Sequence, residues 1–152
     1  MSMALAHALE FPGKMRLNPQ TYNAVQTIYY PGFTIGGIGE PLAAIATLSV
    51  LIAMRHLGPA FWWALAAFIA IVLMHAVFWL VTQPANKFWL RNLDVSSTGV
   101  RFFGLERAER AAEGKKNEAE WKAIRAQWEY SQIVRAVLAC IAVIALAMAV
   151  AM

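Results

Sequence analysis

The sequence predicts an all-α integral membrane protein: an up-and-down helical bundle with three full transmembrane helices and a helical stub at its N-terminus. Three observations predict this class. Hydrophobic residues make up 60% of the 152 residues and charged residues only 14%, whereas soluble domains average about 45–50% and about 25%. The charges are segregated, because residues 58–82 and 136–152 contain no Asp, Glu, Lys or Arg. Both runs approach or exceed the ~20 residues that cross a ~30 Å hydrocarbon core as a helix.

The N-terminal stub is the apolar segment at residues 2–9, which is too short to cross a bilayer. We expect it to form the last turns of a helix that stops near Pro12, because a residue that precedes proline disfavours helical backbone angles. Asn18, with a proline directly after it, predicts an N-cap and the first position of the next helix. This helix is expected to bend at Pro31 and to cross the membrane over residues 32–54.

Two residues inside this first span, Glu40 and Pro41, depart from its apolar pattern. Proline has no N–H, so Pro41 leaves the carbonyl of Gly37 without its helical donor and predicts a kink. An ionisable group inside a bilayer is costly and usually faces a bundle interior or a partner. We therefore expect Glu40 to be paired inside the bundle, with an interfacial position as the alternative.

Two further spans follow a tight connection at residues 55–59. The second span is predicted at residues 60–81, where tryptophans near both ends match the membrane–water interface, and it is expected to stop before Pro84. Asn117 and Glu120 form a capping-box pattern that predicts the start of a last helix. That helix is expected to run to the C-terminus, with its membrane part at residues 130–150.

The distribution of basic residues predicts the orientation of the chain, which we expect to form one domain over residues 1–152. The polar segment at residues 85–127 holds nine of the 13 Lys and Arg residues, which places it in the cytoplasm and the short loop with Arg55 outside. The net charge is +4, but the basic residues flank the spans, are mixed with acids and form no nucleic-acid-binding motif. The expected partner is therefore the lipid bilayer and not nucleic acid.

Polar residues from separate segments of the chain meet at the cytoplasmic end in this topology. A polar group left unpaired in hydrocarbon is costly, so we expect these side chains to converge on one site. A closed polar cap without a cavity is the alternative for the cluster, and a snorkelling interfacial position is the alternative for Arg135. The candidate catalytic residues are His7, Glu10, Asn86, Glu129, Gln132 and Arg135. The candidate substrate-binding residues are Glu40, Trp89 and Trp128.

Neither a metal nor another cofactor is predicted at this site. Residues three apart on a helix share a face, which pairs His7 with Glu10. A second such pair joins Glu129 and Gln132. Both pairs are similar to the Glu-x-x-His ligands of metal-binding bundles, but Gln132 stands where that pattern needs histidine, so the match is weak. His75 lies in an apolar run and is interpreted as a hydrogen-bonded packing histidine.

Four stretches of the sequence are specific enough to indicate a family. They are His7-Ala8-Leu9-Glu10-Phe11-Pro12-Gly13-Lys14, Tyr22 with Val25-Gln26-Thr27-Ile28-Tyr29, Thr82-Gln83-Pro84-Ala85-Asn86, and Gln127-Trp128-Glu129-Tyr130-Ser131-Gln132. In order and spacing they resemble the bacterial family of small membrane proteins of unknown function that is grouped with the fungal anthrone oxygenases. The Trp-Glu-Tyr-Ser stretch is the most specific. The resemblance implies a four-helix bundle in the bacterial inner membrane.

The sequence departs from this family in two ways. Members usually have a complete first transmembrane helix before the segment at His7, whereas only its last turns stand here. We expect either a misassigned start or a bundle that a partner completes. Members also commonly have histidine at the position of Gln132. The resemblance therefore does not imply that Gln132 is a base or a metal ligand.

Two functions fit these observations. The first is a membrane oxidoreductase or oxygenase that acts on a lipophilic aromatic or quinone-like molecule. For the fungal branch the resemblance implies oxygen insertion into an activated phenolic ring without an evident cofactor. Glu10, His7 or Glu129 would take a proton from the substrate. Asn86 and Arg135 would stabilise the resulting anion. The second is a non-catalytic accessory or assembly subunit of a larger membrane complex, or a homo-oligomer, docked through small-residue and helical surfaces.

Overall fold

The computed structural model describes residues 2–90 and 118–152, with side chains throughout these ranges except at 2, 27, 30–35, 88–90 and 118–119. Most of these residues are helical and none of them lies in a strand, which confirms the predicted all-α class. In chain order the elements are α1 (Ser2–Lys14), α2 (Pro19–Gly37), α3 (Gly39–Ala53), α4 (Pro59–Val77), a π-helical turn (Phe78–Thr82), α5 (Gln83–Leu90) and α6 (Glu118–Ala151). Most of the predicted polar segment at 85–127, including the predicted cap Asn117, lies outside the described residues.

In the described chain, two helices are long and apolar enough to cross a membrane, not the three that the sequence predicts. They extend over Pro59–Lys87 and Glu120–Ala151 and contain the second and third predicted spans. The predicted first span at residues 32–54 is wrong, because these residues are divided between α2 and α3. With 15 residues, α3 is about 22 Å long, which is shorter than a ~30 Å hydrocarbon core.

The break between α2 and α3 falls at Ile38, where glycine and proline cluster. Gly37 and Gly39 flank the break, and each glycine in a helix interior costs about 1 kcal/mol relative to alanine. Pro41 lies in the first turn of α3, where a missing N–H breaks no intrahelical hydrogen bond. The predicted kink at Pro41 is therefore a break displaced to Ile38.

The first helix extends beyond its predicted stop. Pro12 lies inside α1, which ends at Lys14. Pro12 cannot donate to the carbonyl of Ala8, but packing supports the last turn. The Lys14 side chain is buried and follows His7 by two helical turns, on the same face.

Local sequence explains two of the helix starts. Oδ1 of Asn18 accepts a hydrogen bond from the N–H of Thr21 at 2.8 Å, which confirms the predicted N-cap of α2. α4 begins after Gly58, whose φ of 53° lies in the left-handed region that favours glycine. Pro59 occupies its first position, as proline commonly does. The tight connection at residues 55–59 therefore has a stereochemical basis.

A π-helical turn carries the second span past its predicted end. The N–H of Gln83 bonds to the carbonyl of Phe78, five residues earlier. This wider turn accommodates Pro84 in a helix that continues to Leu90, so the predicted stop before Pro84 is wrong. Turns of this kind are rare and frequently lie at functional sites.

The other elements assemble on α6. α1, α4, the π turn and α5 pack against it, and α3 packs against α4. Small side chains let α4 and α6 approach closely. The buried alanines include Ala64, Ala67 and Ala70 on α4 and Ala139, Ala142 and Ala145 on α6. Large apolar side chains such as Leu80 and Ile144 point outward and are 75% and 62% exposed, as expected for a surface that meets lipid.

Candidate functional site

A cavity of about 260 Å³ lies where α1, the α2–α3 junction, α4 with its π turn, α5 and α6 meet. Apolar and aromatic side chains form much of its wall, and polar groups reach it from all of these elements. The apolar lining residues include Met3, Ile38, Phe78, Trp79 and Trp128. The polar lining residues are His7, Gln26, Tyr29, Glu40, His75, Thr82, Asn86, Gln132 and Arg135. The polar cluster therefore surrounds an open space and is not a closed cap.

Arg135 and Glu40 form the charged part of the wall. Nη2 of Arg135 donates a hydrogen bond to Oε1 of Glu40 at 2.5 Å, and Nη1 donates to Oε1 of Gln132 at 2.9 Å. The Arg135 and Glu40 side chains are only 6% and 11% exposed. Among the described residues, Nε of Arg135 has no hydrogen-bond partner. A buried guanidinium N–H of this kind is suited to bind an anionic oxygen.

Two histidines line the cavity in opposite hydrogen-bonding states. Nδ1 of His75 lies 2.8 Å from the carbonyl oxygen of Ile71. A carbonyl only accepts, so Nδ1 of the neutral ring carries the proton and Nε2 has the lone pair. Nδ1 of His7 lies 2.6 Å from Nζ of Lys14. An ammonium only donates, so the neutral His7 ring carries its proton on Nε2.

Lys14 is buried beside the cavity and joins α1 to its neighbours. Its Nζ lies 2.7 Å from Oε2 of Glu10, and the same oxygen accepts a hydrogen bond from the Tyr29 hydroxyl at 2.6 Å. The ammonium stands 4.5 Å from the ring centre of Tyr29 and 5.5 Å from that of Trp128. The carboxylate and the two cation–π contacts offset the cost of burying this charge.

Burial and the neighbouring Lys14 charge keep His7 neutral on α1, which lies outside the two membrane-spanning helices. Burial, together with the positive charge of Lys14, lowers the pKa of His7 to about 3 against the opposing effect of Glu10. Burial alone raises the pKa of Glu10, but the hydrogen bonds from Lys14 and Tyr29 outweigh it and lower that pKa below its ordinary value. At neutral pH, His7 is therefore a neutral ring with its proton on Nε2, and Glu10 is ionised.

Asn86 and Trp128 join α5 to α6 at the cavity wall. Nε1 of Trp128 donates to Oδ1 of Asn86 at 2.7 Å, and Nδ2 of Asn86 donates to Oε1 of Gln83 at 3.3 Å. The hydroxyls of Thr82 and Ser131 lie 2.9 Å apart between the π turn and α6. These hydrogen bonds orient the wall, and the Asn86 amide has a second N–H that can donate to a ligand.

Glu129 belongs to a separate buried cluster that ties α2 to the start of α6. The Tyr22 hydroxyl donates to Oε1 of Glu129 at 2.9 Å, and both residues are fully buried. The rings of Tyr22 and Trp121 meet edge to face at 5.6 Å, and the Arg125 guanidinium stands 4.7 Å from the Trp121 ring centre. None of these four side chains lines the cavity.

The structure brings six of the nine predicted site residues to the cavity wall. They are His7, Glu40, Asn86, Trp128, Gln132 and Arg135. Glu10 is exposed beside the cavity and Glu129 lies in the buried cluster, so neither lines the wall. Trp89 lies outside the residues whose side chains the structure describes. Within 2–90 and 118–152, no three His, Cys, Asp or Glu side chains are grouped so that they could hold a metal ion. The roles of the nine residues in binding or catalysis stay predictions.

Sequence reasoning missed several residues at or beside the cavity. They are Lys14, Gln26, Tyr29, His75 and Thr82. All except His75 lie in the stretches that indicate the family. Lys14 follows His7 by seven residues, a spacing that places both side chains on the same helix face and could have predicted their contact. His75 makes the hydrogen bond that the packing interpretation requires, but its apolar surroundings in the sequence hid its position on a cavity wall.

A second cavity of about 470 Å³ adjoins the first, between α3, α4 and α6. Met3 and Glu40 line both cavities. The remaining wall is mostly small and apolar and includes Gly36, Gly39, Ala43, Ala46, Ala139 and Ala142. Thr47 also lines it, and its hydroxyl donates to the carbonyl of Ala43 at 2.8 Å.

Two apolar helices of membrane-spanning length, joined around a polar-lined cavity, define a small helical membrane-associated protein with a ligand-sized site. The family model for anthrone oxygenase matches residues 29–145. The chain therefore belongs to the anthrone oxygenase family, which confirms the resemblance seen in the sequence. The matched region contains the cavity residues of α3 to α6 and begins after α1. Comparison with curated proteins and with solved structures gave no match.

Proposed function

We propose that this protein is a membrane oxygenase that binds a lipophilic aromatic or quinone-like molecule in the cavity and promotes its reaction with O₂. The composition of the cavity wall is the main support for this proposal. Phe78, Trp79 and Trp128 form an aromatic wall. Nε of Arg135 is a buried hydrogen-bond donor with no partner among the described residues. Such a wall suits a flat apolar ring that bears an acidic hydroxyl or a carbonyl. Membership of the anthrone oxygenase family supports the same class of substrate.

The volume of the cavity limits the size of the substrate. The cavity volume of about 260 Å³ lies just below the ~300–1,000 Å³ that is typical of ligand pockets. We therefore expect a compact molecule of a few fused rings. An anthrone, in which a methylene group stands between two aromatic rings, has this shape.

The proposed reaction converts that methylene group to a ketone. Loss of one proton from carbon gives an anion whose charge spreads through the rings to oxygen. This carbon then forms a bond to O₂, and one proton returns to the outer oxygen. Loss of the second C–H proton breaks the O–O bond and releases water. The net change is R₂CH₂ + O₂ → R₂C=O + H₂O, in which carbon is oxidised and both oxygen atoms are reduced.

The anion is the species that this site is suited to stabilise. Arg135 supplies a positive charge and the Nε donor, while Asn86 supplies a further N–H group. Because protein partners already orient these groups, little reorganisation is needed as negative charge develops on the substrate. Glu10 and Glu129 lie away from the cavity wall, so we propose that they hold neighbouring side chains in place.

Turnover of an anthrone in lipid nanodiscs tests this function. We expect the purified protein to form quinone and consume O₂ faster than protein-free nanodiscs or heat-denatured protein, both of which report spontaneous oxidation. Arg135→Lys keeps the positive charge but removes the guanidinium donors, and should lower kcat/KM by about 100-fold, as loss of an oxyanion donor does. The matched control is Arg16→Lys, at an exposed position. No rate above the protein-free sample would contradict the proposal.

The adjoining apolar cavity favours a second candidate function, that of a non-catalytic accessory or assembly subunit of a membrane complex or homo-oligomer. Its small wall residues permit close contact with another helix. Ala46→Leu fills this surface, whereas Ala53→Leu changes an exposed alanine of the same helix outside it. A stoichiometric partner that Ala46→Leu alone releases would favour the subunit. A co-purifying lipophilic molecule without a protein partner would favour the enzyme.

We also propose that the chain forms one multi-pass domain in a bacterial inner membrane, with the cavity at the cytoplasmic end. The excess of Lys and Arg at residues 85–127 supports this orientation. The family resemblance supports a complete bundle of four helices.

A further inference from the structure

Resting on the proposed oxygenase function, we propose that His75 is the proton acceptor of the site. Its Nε2 takes the proton from the acidic C–H of a lipophilic aromatic ligand that occupies the cavity. His75 lines the cavity, and its Nε2 is buried without a hydrogen-bond partner among the described residues. A buried nitrogen lone pair at the wall of a ligand-sized cavity is the group that general-base catalysis requires.

The backbone of α4 holds His75 in the tautomer that can accept a proton. Its Nδ1 donates to the carbonyl oxygen of Ile71, one helical turn earlier. Ile71 is itself fixed, because its side chain is buried in a cluster with its neighbour Ala70 and with Ala142 of the facing helix α6. The ring is therefore oriented by a rigid acceptor, as a hydrogen bond at one imidazole nitrogen sets the role of the other.

The other titratable or charged groups on the cavity wall are less suited to this role. They are His7 on α1, Tyr29 on α2, Glu40 on α3 and Arg135 on α6. Nδ1 of His7 already accepts from the Lys14 ammonium. Oε1 of Glu40 accepts from Arg135, so protonation of this carboxylate would remove the charge that pairs with the guanidinium. Tyr29 donates its hydroxyl proton to Glu10.

His75 can accept and return every proton that the reaction moves. Nε2 takes the first proton from the methylene carbon, which leaves an imidazolium and a carbanion. After the carbon bonds to O₂, the imidazolium returns this proton to the outer oxygen. The neutral ring then takes the second C–H proton as the O–O bond breaks, and gives it to the departing hydroxide to form water. His75 ends the cycle neutral.

Anaerobic hydrogen–deuterium exchange isolates the first step. The protein in nanodiscs is incubated with anthrone in D₂O without O₂, and mass spectrometry follows deuterium uptake at the methylene carbon. Tryptophan fluorescence, which reports on Trp79 and Trp128 in the wall, measures ligand binding in the same samples. We expect His75→Gln to bind anthrone with a Kd within about threefold of the wild-type value but to slow exchange by at least about 100-fold, the usual contribution of a general base. His56→Gln, in an exposed loop, is the matched control.

The outcomes separate this inference from the function on which it rests. If the wild type exchanges and His75→Gln exchanges equally fast, the inference is overturned while the proposed function stands. If the wild type neither binds anthrone nor exchanges its protons, the proposed function fails and the inference fails with it. Nitrogen-15 NMR of the histidine rings provides a test that needs no variant. Nε2 of His75 should resonate as the unprotonated nitrogen, and a proton on Nε2 of the neutral ring would overturn the inference.

Discussion

Nη2 of Arg135 donates a hydrogen bond to Oε1 of Glu40 at 2.5 Å, across 95 positions of sequence. This pair joins the first turn of α3, just after the break at Ile38, to α6. Both side chains are largely buried, so each charge depends on the other for compensation. The pair therefore contributes to the position of α3 as well as to the charge of the cavity.

Substitution of Glu40 tests this dependence. Glu40→Ala leaves the Arg135 charge buried without its partner and should lower the free energy of unfolding by roughly 3–5 kcal/mol. Glu40→Gln keeps the volume and the hydrogen-bonding capacity and should be milder. Thermal and denaturant melts in detergent measure both variants. Glu120→Ala, at an exposed position of α6, should change stability by no more than about 0.5 kcal/mol. Equal and negligible effects of the two Glu40 variants would mean that the pair does not stabilise the fold.

His7 should make the stability of the protein depend on pH. Its pKa is about 3 in the folded chain against an ordinary value of 6.5, so between these values the unfolded chain binds more protons. Stability therefore rises with pH in this window and is lost as the pH falls from about 6.5 towards 3, with a slope of up to about 1.4 kcal/mol per pH unit. Chemical denaturation at pH 7 and pH 5 measures this slope.

Variants at two histidines identify the group responsible for this slope. His7→Gln cannot titrate, so the difference in stability between pH 7 and pH 5 should shrink. His56→Gln, in an exposed loop, should leave it unchanged. The lowered pKa of Glu10 acts in the same direction but at a lower pH, below the window that is compared. An unchanged slope in His7→Gln would rule out His7 as its source.

The helical class and the grouping of the polar residues could be predicted because they depend on regional properties of the sequence. Uncharged runs of sufficient length define the helices of the two spans, and pairing is the cheaper arrangement for polar groups in hydrocarbon. Six of the nine site residues therefore reach one cavity wall. The N-cap at Asn18 was predictable because it depends only on neighbouring residues.

The remaining features depend on tertiary packing that the sequence pattern does not contain. Glycine and proline near Ile38 predict that the helix is interrupted there. The same local residues are compatible with a kink and with a complete break, so the sequence does not distinguish the two. Pro84 predicts the end of a helix, but the helix continues beyond it because of a π turn and contacts with α6. Glu129 and Gln132 share a helix face, but Glu129 meets Tyr22 while Gln132 meets the cavity. The side that each residue takes depends on where α2 packs.

The Lys/Arg distribution predicts which end of the bundle faces the cytoplasm. In a Cys140→Ala background, which removes the sole native cysteine, Ser97→Cys should resist a membrane-impermeant maleimide added outside intact cells. Leu57→Cys, in the exposed connection between α3 and α4, should react readily. Permeabilised cells provide the control for reactivity at position 97. Ready labelling at 97 and protection at 57 in intact cells would reverse the orientation.

The central claim, that a lipophilic aromatic molecule occupies the cavity, is tested most directly by photo-cross-linking. A diazirine-bearing phenol is irradiated with the protein in nanodiscs, and the modified residues are mapped by mass spectrometry with and without excess anthrone. We predict that the modified positions include Thr82, Trp128 and Gln132 on the cavity wall and that anthrone suppresses their modification. Modification confined to outward-facing side chains such as Leu80 and Ile144, and insensitive to anthrone, would contradict the claim.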